Sequence, residues 1–321
     1  MGLAFDARQL RASLQPFENT EGMQFNEQIE AYIGFYGIDF AHQFEGLQHR
    51  IGYFDAAEYR VVLQSFLPLN PKGTVFIFHG YYDHVGIYGH IVRYALAQGY
   101  AVVTYDLPGH GLSSGPVATI SSFYEYQMVL KTCIELIRGQ FPEPWFVIAQ
   151  STGAAVMIDY MLGDQLDEQT SPFKKIVMLA PLVRPVHWGL SRGLYHIVSP
   201  FKDYIERKFV TNSSDDEFLR FLREDDILQS KQVSSKFVGA MIAYIDRVEK
   251  AAPVAISPLI IQGDLDKTVD FRRNIPLLKQ KFLDPKIAMI EGAQHQLANE
   301  SVALRNIVFD HVTNYFESES T

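Results

Sequence analysis

Short apolar runs alternate with stretches of helical periodicity from about residue 60 to the end of the chain. The runs that predict buried strands cover residues 61–63, 74–78, 101–105, 145–149, 175–180, 258–262 and 286–290. Helical patterns include residues 87–98, 123–140 and 302–316. Continuous apolar strands separated by helices are typical of a parallel sheet that is buried on both faces. The pattern therefore predicts an α/β fold, a doubly wound and mostly parallel sheet, preceded by an antiparallel pair within residues 48–67.

Two segments depart from this alternation. Residues 1–47 are predicted to form a partly helical N-terminal extension, to which the sequence assigns no role. Residues 184–250 show helical periodicity but no run that predicts a strand. We therefore predict a core built from residues 48–183 and 251–321, interrupted by a helical insertion at 184–250.

Composition narrows the range of partners. The 321 residues are 47% hydrophobic and carry a net charge of -9, which argues against nucleic acid as an electrostatic partner. The single cysteine, Cys133, excludes an internal disulfide. The N-terminus lacks the basic and apolar regions of a signal peptide, and no uncharged apolar run has membrane-spanning length. We expect a cytoplasmic protein without stable membrane insertion, and the oligomeric state stays open.

One predicted junction between a strand and a helix contains a candidate catalytic serine. The apolar run 145–149 ends at the sequence Ala-Gln-Ser-Thr-Gly, in which Ser151 lies between the small residues Ala149 and Gly153. A serine on such a tight turn is held out of the backbone and exposed to a substrate carbonyl, as in the nucleophile elbow G-x-S-x-G of serine hydrolases. The alternative is that Ser151 is an ordinary helix N-cap.

A nucleophilic serine needs a base and a carboxylate that orients the base. In doubly wound hydrolases these follow the serine in the order acid, then base. Three candidate acids, Asp264, Asp266 and Asp270, follow the apolar run 258–262. The base candidate is His295, in the loop after the last predicted strand, and its rival His311 lies within a helical pattern.

The turn after the run 74–78 is the candidate oxyanion hole. There Gly80 allows close backbone approach, so that the N–H of Tyr81 can pair with the N–H of Thr152. A histidine cluster nearby follows no zinc spacing, so that we predict neither a metal site nor a cofactor. The histidines of this cluster are His79, His84, His90 and His110.

With these residues the chain resembles the monoacylglycerol lipase and lysophospholipase branch of the α/β-hydrolases, a branch also labelled serine aminopeptidase. The resemblance spans roughly residues 50–318 and rests on five motifs. They are His79-Gly80, Asp106-x-x-Gly109-His110-Gly111-x-Ser113, the elbow at Ser151, Gly263-x-x-Asp266 and Gly292-Ala293-x-His295. The chain departs from the family at Ala149, where glycine is usual, and at Tyr81, where a smaller residue is common.

The resemblance implies a role for each matching residue. Ser151 is the expected nucleophile, Asp266 the acid and His295 the base, with Tyr81 and Thr152 as oxyanion donors. The insertion at 184–250 corresponds to the family's mobile cap, and its apolar residues are expected to contact substrate. We single out Trp188, Phe237 and Met241 among them.

The expected activity is hydrolysis of a carboxylic ester through an acyl-enzyme on Ser151. A lipid-like substrate, lysophospholipid or monoacylglycerol, is favoured because apolar side chains of a cap suit an acyl chain. A hydrolase of small esters or C–C bonds, or an acyltransferase, would use the same residues. Peptidase activity is less favoured, because the turn His79-Gly80-Tyr81-Tyr82-Asp83 differs from the His-Gly-Gly-Pro-Gly turn of proline iminopeptidases. A non-catalytic binding protein would usually lack one of the three residues.

Overall fold

An eight-stranded sheet forms the centre of the structure, a computed structural model that describes residues 5–199, 201–207 and 209–318. The outer ends of the predicted N-terminal extension and of the core, residues 1–4 and 319–321, lie outside the described residues. In chain order, the sheet strands are β1 Gln48–Ala56, β2 Tyr59–Leu67, β3 Thr74–Phe78, β4 Ala101–Tyr105, β5 Trp145–Gln150, β6 Lys175–Leu179, β9 Leu259–Gly263 and β10 Lys286–Ile290. Two further strands, β7 Tyr204–Glu206 and β8 Gln232–Ser234, lie outside this sheet.

The sheet order is β1-β2-β4-β3-β5-β6-β9-β10. β1 pairs antiparallel with β2, and β2 pairs antiparallel with β4. Every other pair is parallel. This confirms the predicted sheet and its antiparallel start. It also places the carboxyl ends of β3, β5, β9 and β10 at one edge, where loops after parallel strands build sites.

Helices cover both faces of the sheet. In chain order, they are α1 Ala7–Ser13, α2 Glu27–Tyr36, α3 Gly89–Ala97, α4 Phe123–Ile137, α5 Thr152–Gly163, α6 Trp188–Val198, α7 Asp216–Glu224, α8 Ser235–Lys250, α9 Phe271–Lys281 and α10 Val302–Glu317. Alternate strand residues separate the two buried clusters. In β3, Phe76 and Phe78 face the cluster of α4, α5 and α8, whereas Val75 and Ile77 face that of α1, α2, α3 and α10. Within the described residues, no helix is both long and apolar enough to cross a membrane.

The segment 184–250, called the cap below, lies between β6 and β9 and contains α6, β7, α7, β8 and α8. The prediction that it holds no strand is wrong, because β7 and β8 pair antiparallel over three residues each. These strands are short and mostly solvent-accessible, so they lack the apolar pattern that reveals a buried strand. The guanidinium of Arg247 on α8 holds the cap to α5 through a two-point ion pair with Asp159.

The N-terminal extension packs on the core through α1 and α2. The Tyr36 hydroxyl at the end of α2 donates to Asp226 Oδ1 at 2.8 Å, and this carboxylate of the cap is completely buried. His84 Nε2 lies 3.1 Å from Asp226 Oδ2. Burial opposes a charged His84, but the carboxylate of Asp226 outweighs it and raises the pKa of His84. The extension, the cap and the loop after β3 therefore meet at one buried ion pair.

We expect Tyr36→Phe to lower the free energy of unfolding by about 1.5–3 kcal/mol, because it removes one hydrogen bond to a buried carboxylate and keeps the ring. Urea unfolding measures the change. Tyr124→Phe is the matched control, since Tyr124 is 59% exposed. Equal stability of the Tyr36 variant and the control would show that the extension contributes nothing through this contact.

Candidate active site

Ser151 lies on the sharp turn between β5 and α5. Its backbone has φ 51 and ψ -107, a conformation that residues other than glycine rarely adopt. The turn is held by a hydrogen bond from Ser151 N to Leu179 O of β6 at 2.9 Å and by one from Ala155 N to Ser151 O at 3.0 Å. The sequence therefore folds here into the strained elbow, and Ser151 is more than an N-cap, since its side chain does not cap α5.

Gly153 is required by the packing of the elbow. A Cβ at this position would lie 2.6 Å from Phe78 O and 2.8 Å from Phe78 C, so only glycine lets α5 approach β3 this closely. Ala149, by contrast, is a completely buried residue within the regular ladder of β5, opposite Phe78 and Met178. The departure from glycine at this position therefore leaves the turn intact.

The structure brings Ser151, His295 and Asp266 into one hydrogen-bonded chain. His295 Nε2 lies 2.9 Å from Ser151 Oγ, and His295 Nδ1 lies 2.8 Å from Asp266 Oδ2. An aspartate that accepts from Nδ1–H leaves Nε2 free to accept the serine proton. All three residues are buried to more than nine-tenths. His311, the rival base, lies on α10.

The competing aspartates have other partners. Asp264 Oδ1 accepts from Gly292 N at 2.8 Å and so fixes the loop after β10. Asp270 lies 3.5 Å from the guanidinium of Arg273 on α9. Only Asp266 among the three candidates reaches His295 in the described residues.

Gly263 explains how the acid and base loops meet. A Cβ at Gly263 would lie 2.2 Å from Gln294 O and 2.4 Å from Ala293 O. A side chain there would push the loop that carries His295 away from the end of β9. The motif Gly263-x-x-Asp266 therefore combines a close backbone approach with the carboxylate three residues later.

Two glutamines that sequence reasoning missed support these residues. Gln150 Nε2 donates to His295 O at 2.8 Å, which ties the base loop to the residue before the serine. Gln262 Nε2 donates to Asp266 Oδ2 at 2.9 Å. Each glutamine is the penultimate or last residue of a strand that ends at the site, and a buried polar residue at a strand end was the signal that could have found them.

His295 and Asp266 shift each other's pKa values and so determine their own protonation states. Burial raises the pKa of the Asp266 carboxyl, but the charge and hydrogen bond of His295 and the donors Gln262 and Thr268 N hold it below its usual value. Burial likewise lowers the pKa of His295, but the Asp266 carboxylate, with a contribution from Asp83, raises it above the ordinary value of 6.5. Asp266 is therefore ionised at neutral pH, and His295 takes up a proton at a higher pH than a free histidine.

A pH profile tests this arrangement. If His295 acts as the base, kcat/KM falls on acidification, because the protonated ring cannot accept the Ser151 proton. The raised pKa places the inflection above the ordinary value of 6.5. Initial rates with an uncharged p-nitrophenyl ester between about pH 5 and 9 measure it, since this range brackets histidine titration. A flat profile, or an inflection below the ordinary value, would contradict the assigned pair.

Backbone donors line the candidate oxyanion hole. Thr152 is the first residue of α5, so its N–H has no partner within the helix. Tyr81 lies in a turn in which Asp83 N donates to Gly80 O at 3.2 Å. The bulk of Tyr81 is accommodated, because its hydroxyl donates to Ala118 O at 2.7 Å and its ring stacks on Phe237 at 3.8 Å. Tyr81 and Thr152 line the same pocket as Ser151.

That pocket has a volume of about 260 Å³ and lies beneath the cap. Phe237 and Met241 of α8 line it together with Leu182, which precedes the cap. Trp188 does not: it lines a separate pocket with Arg184 and Glu249. Trp188 is the first residue of α6, and the sequence does not reveal which way the start of that helix faces.

Two histidines of the cluster, His79 and His110, are held by backbone groups. His79 Nδ1 lies 2.8 Å from Gly80 O, and its Nε2 accepts from Leu107 N at 2.9 Å. The two contacts require the neutral ring with the proton on Nδ1. His110 Nδ1 lies 2.9 Å from Pro108 O. Among the described residues, no group of three or more histidine, cysteine or acidic side chains could hold a metal ion.

Comparison with known proteins agrees with this geometry. The family described as serine aminopeptidase, S33, matches residues 69–302. Monoglyceride lipase of Homo sapiens is 25% identical over 260 residues, covering 78% of this chain and 84% of that protein. Monoacylglycerol lipase of Mycolicibacterium smegmatis is 24% identical over 275 residues, covering 81% and 93%. The structure of a soluble variant of monoglyceride lipase from Saccharomyces cerevisiae has a TM-score of 0.71 at 16% identity, covering 85% and 96%.

The fold and the elbow define an α/β-hydrolase, and the similarity to the yeast structure confirms this fold. The chain belongs to the serine aminopeptidase, S33, family, because the match covers most of its length. Within the superfamily it lies in the monoacylglycerol lipase branch, which confirms the resemblance found in the sequence.

Proposed function

We propose that this carboxylic ester hydrolase cleaves lipid-like esters through an acyl-enzyme on Ser151. The observation that carries the proposal is the hydrogen-bonded chain from Ser151 through His295 to Asp266, of which Ser151 and His295 line the pocket beneath the cap. Relatives named monoglyceride lipase, and a phospholipase from Bacillus subtilis, support ester hydrolysis of lipids.

The proposed mechanism follows from the contacts. Ser151 Oγ attacks the ester carbonyl carbon while its proton passes to His295 Nε2. Asp266 keeps the ring oriented and stabilises the imidazolium that forms. The N–H groups of Tyr81 and Thr152 stabilise the oxyanion. The C–O bond then breaks, the alcohol leaves with the proton from Nε2, and water attacks the acyl-enzyme by the same route.

The pocket lining supports a lipid-like acyl group. Aromatic, aliphatic and thioether side chains of Phe237, Met241, Leu182 and Val233 form one part of the wall. Each methylene buried on such a wall is worth about 0.8 kcal/mol. We therefore expect kcat/KM for p-nitrophenyl esters to rise with acyl length from acetyl to octanoyl. A preference for acetyl would contradict the lipid proposal and favour a hydrolase of small esters or C–C bonds with the same three residues.

Shortening the apolar wall should weaken this dependence. Met241→Ala is expected to lower the gain in kcat/KM per methylene by about half, because the added methylenes lose part of the surface that buries them. The chain-length series in the variant measures the slope. Trp188→Ala is the matched control, since Trp188 lines a different pocket. If both variants flatten the series equally, the acyl group does not lie against α8.

A further inference from the structure

The substrate pocket contains one cation that the proposed mechanism does not use. Arg207, the residue after β7 in the cap, lines this pocket with Ser151 and His295. Its guanidinium lies 3.9 Å from the centre of the Tyr82 ring and 4.5 Å from that of Phe209. Tyr82 directly follows the oxyanion donor Tyr81. The positive charge is therefore fixed next to the oxyanion turn, on the cap side.

The hydrogen-bonding capacity of Arg207 is largely unused by the protein. A guanidinium has five N–H donors. Within the described residues, the guanidinium makes one hydrogen bond, from Nη1 to Ser230 O at 3.3 Å, and no carboxylate lies within 4 Å of it. Withdrawing a charged group from water without an ionic partner costs free energy, so such groups are usually paired. A planar guanidinium that faces a pocket suits an anionic oxygen group of a ligand.

The one carboxylate that lines the pocket has its own donors. Asp83 is 2% exposed and accepts from Gln296 Nε2 at 3.0 Å and from the Tyr88 hydroxyl at 3.0 Å. Burial raises the pKa of the Asp83 carboxyl, whereas its donors Gln296 and Tyr88 and the charge of Arg207 act in the opposite direction. The Asp83 carboxylate is therefore engaged by Gln296 and Tyr88 rather than by the Arg207 guanidinium. The remaining polar lining includes Asn212 and Thr268, which are uncharged.

We propose that Arg207 is the binding residue for a phosphate on the alcohol part of the substrate, so that the site takes lysophospholipid-type esters. This assignment rests on the proposed ester hydrolysis and names its substrate class. The apolar wall of α8 and the cation that follows β7 give the pocket two contrasting parts, as an acyl chain joined to a phosphorylated glycerol requires. Hydrolysis of 1-acylglycerol 3-phosphate breaks the ester C–O bond, consumes one water and releases a fatty acid and glycerol 3-phosphate.

A matched substrate pair tests the proposal. The two esters are 1-decanoylglycerol 3-phosphate and 1-decanoylglycerol, which differ only in the phosphate. In Arg207→Gln the ratio of their kcat/KM values should fall about 10- to 100-fold, the loss expected for charge-assisted hydrogen bonds. Lys231→Gln is the control: it removes an exposed cation next to β8 and should keep the wild-type ratio. Equal ratios in wild type and Arg207→Gln would overturn the proposal.

Binding of ether analogues separates this proposal from ester hydrolysis itself. The dissociation constants of 1-O-decylglycerol 3-phosphate and 1-O-decylglycerol are measured by calorimetry on the wild-type chain. This measurement needs no variant, so its result does not depend on whether a variant folds. Tighter binding of the phosphate form, weakened by salt, supports the proposal even if no lipid ester is hydrolysed. Equal binding overturns it even if esters are hydrolysed.

A third ligand distinguishes the source of the phosphate. Free glycerol 3-phosphate carries the same headgroup without the alkyl chain. It should bind at least 100-fold more weakly than the ether lipid, because it lacks the methylenes that contact the apolar wall. Comparable affinity would show that the site takes a small phosphate ester, and would overturn the lipid class. Arg207→Lys, which keeps the charge but not the planar fork, is expected to show an intermediate preference.

Discussion

Ser151→Ala is expected to lower kcat by about 10⁴- to 10⁶-fold with p-nitrophenyl esters, because the pocket and the proposed oxyanion donors remain but the proposed nucleophile is lost. Ser151 Oγ is the only serine oxygen, among the described residues, that contacts His295 Nε2. A fluorophosphonate probe should therefore modify one peptide of the wild-type chain, the one that contains residue 151, and should modify nothing in the variant.

The matched control is Ser121→Ala, an exposed serine ahead of α4. Its kcat and its labelling by the probe should equal those of the wild type. Thermal unfolding of Ser151→Ala should show an intact fold, because the substitution removes one buried hydroxyl. Full activity of Ser151→Ala, or labelling of another peptide by the probe, would contradict the proposed acyl-enzyme on Ser151.

Asp266→Asn is expected to lower kcat by about 10⁴-fold. An asparagine amide can donate to Nδ1, which would leave the proton on His295 Nε2 and present the wrong tautomer to Ser151. It would also remove the charge that raises the pKa of His295, so the remaining activity should titrate at lower pH than in the wild type. Steady-state kinetics as a function of pH measures both changes.

Asp264→Asn is the matched control in the same loop. The Asp264 carboxylate accepts from Gly292 N at 2.8 Å and has no contact with His295. An asparagine oxygen can accept the same bond, so kcat should change by less than about tenfold. If Asp264→Asn costs more activity than Asp266→Asn, Asp264 is the acid and the contacts assigned to Asp266 do not describe the working enzyme.

The central predicted strands β3, β4, β5 and β9 were confirmed because they are almost continuously apolar and buried on both faces. The run 145–149 and the strand Trp145–Gln150 differ by one residue. Helix α9 was missed, since Pro276 lies inside it and interrupts its periodicity. The pair β7 and β8 was missed because neither strand is buried enough to require an apolar pattern.

Some parts of the candidate site were likewise identified from the sequence, and others depend on the tertiary structure. The elbow at Ser151, the order of acid and base, and the turn at Gly80 were identified from the sequence, because each lies within a few residues of a strand end. At the elbow, residues that are close in the sequence determine the turn. Gly153, for example, is the residue that α5 needs in order to pack on Phe78.

The choice among Asp264, Asp266 and Asp270 needed the family motif, and the hydrogen bond from His295 Nδ1 to Asp266 is a property of the tertiary structure alone. The same holds for Gln150, Gln262 and Arg207, and for the separation of Trp188 from the pocket. The physical reason is distance along the chain. Contacts between loops 29 to 145 residues apart depend on sheet order and on how the cap lies over the edge, and no short sequence pattern records either of them.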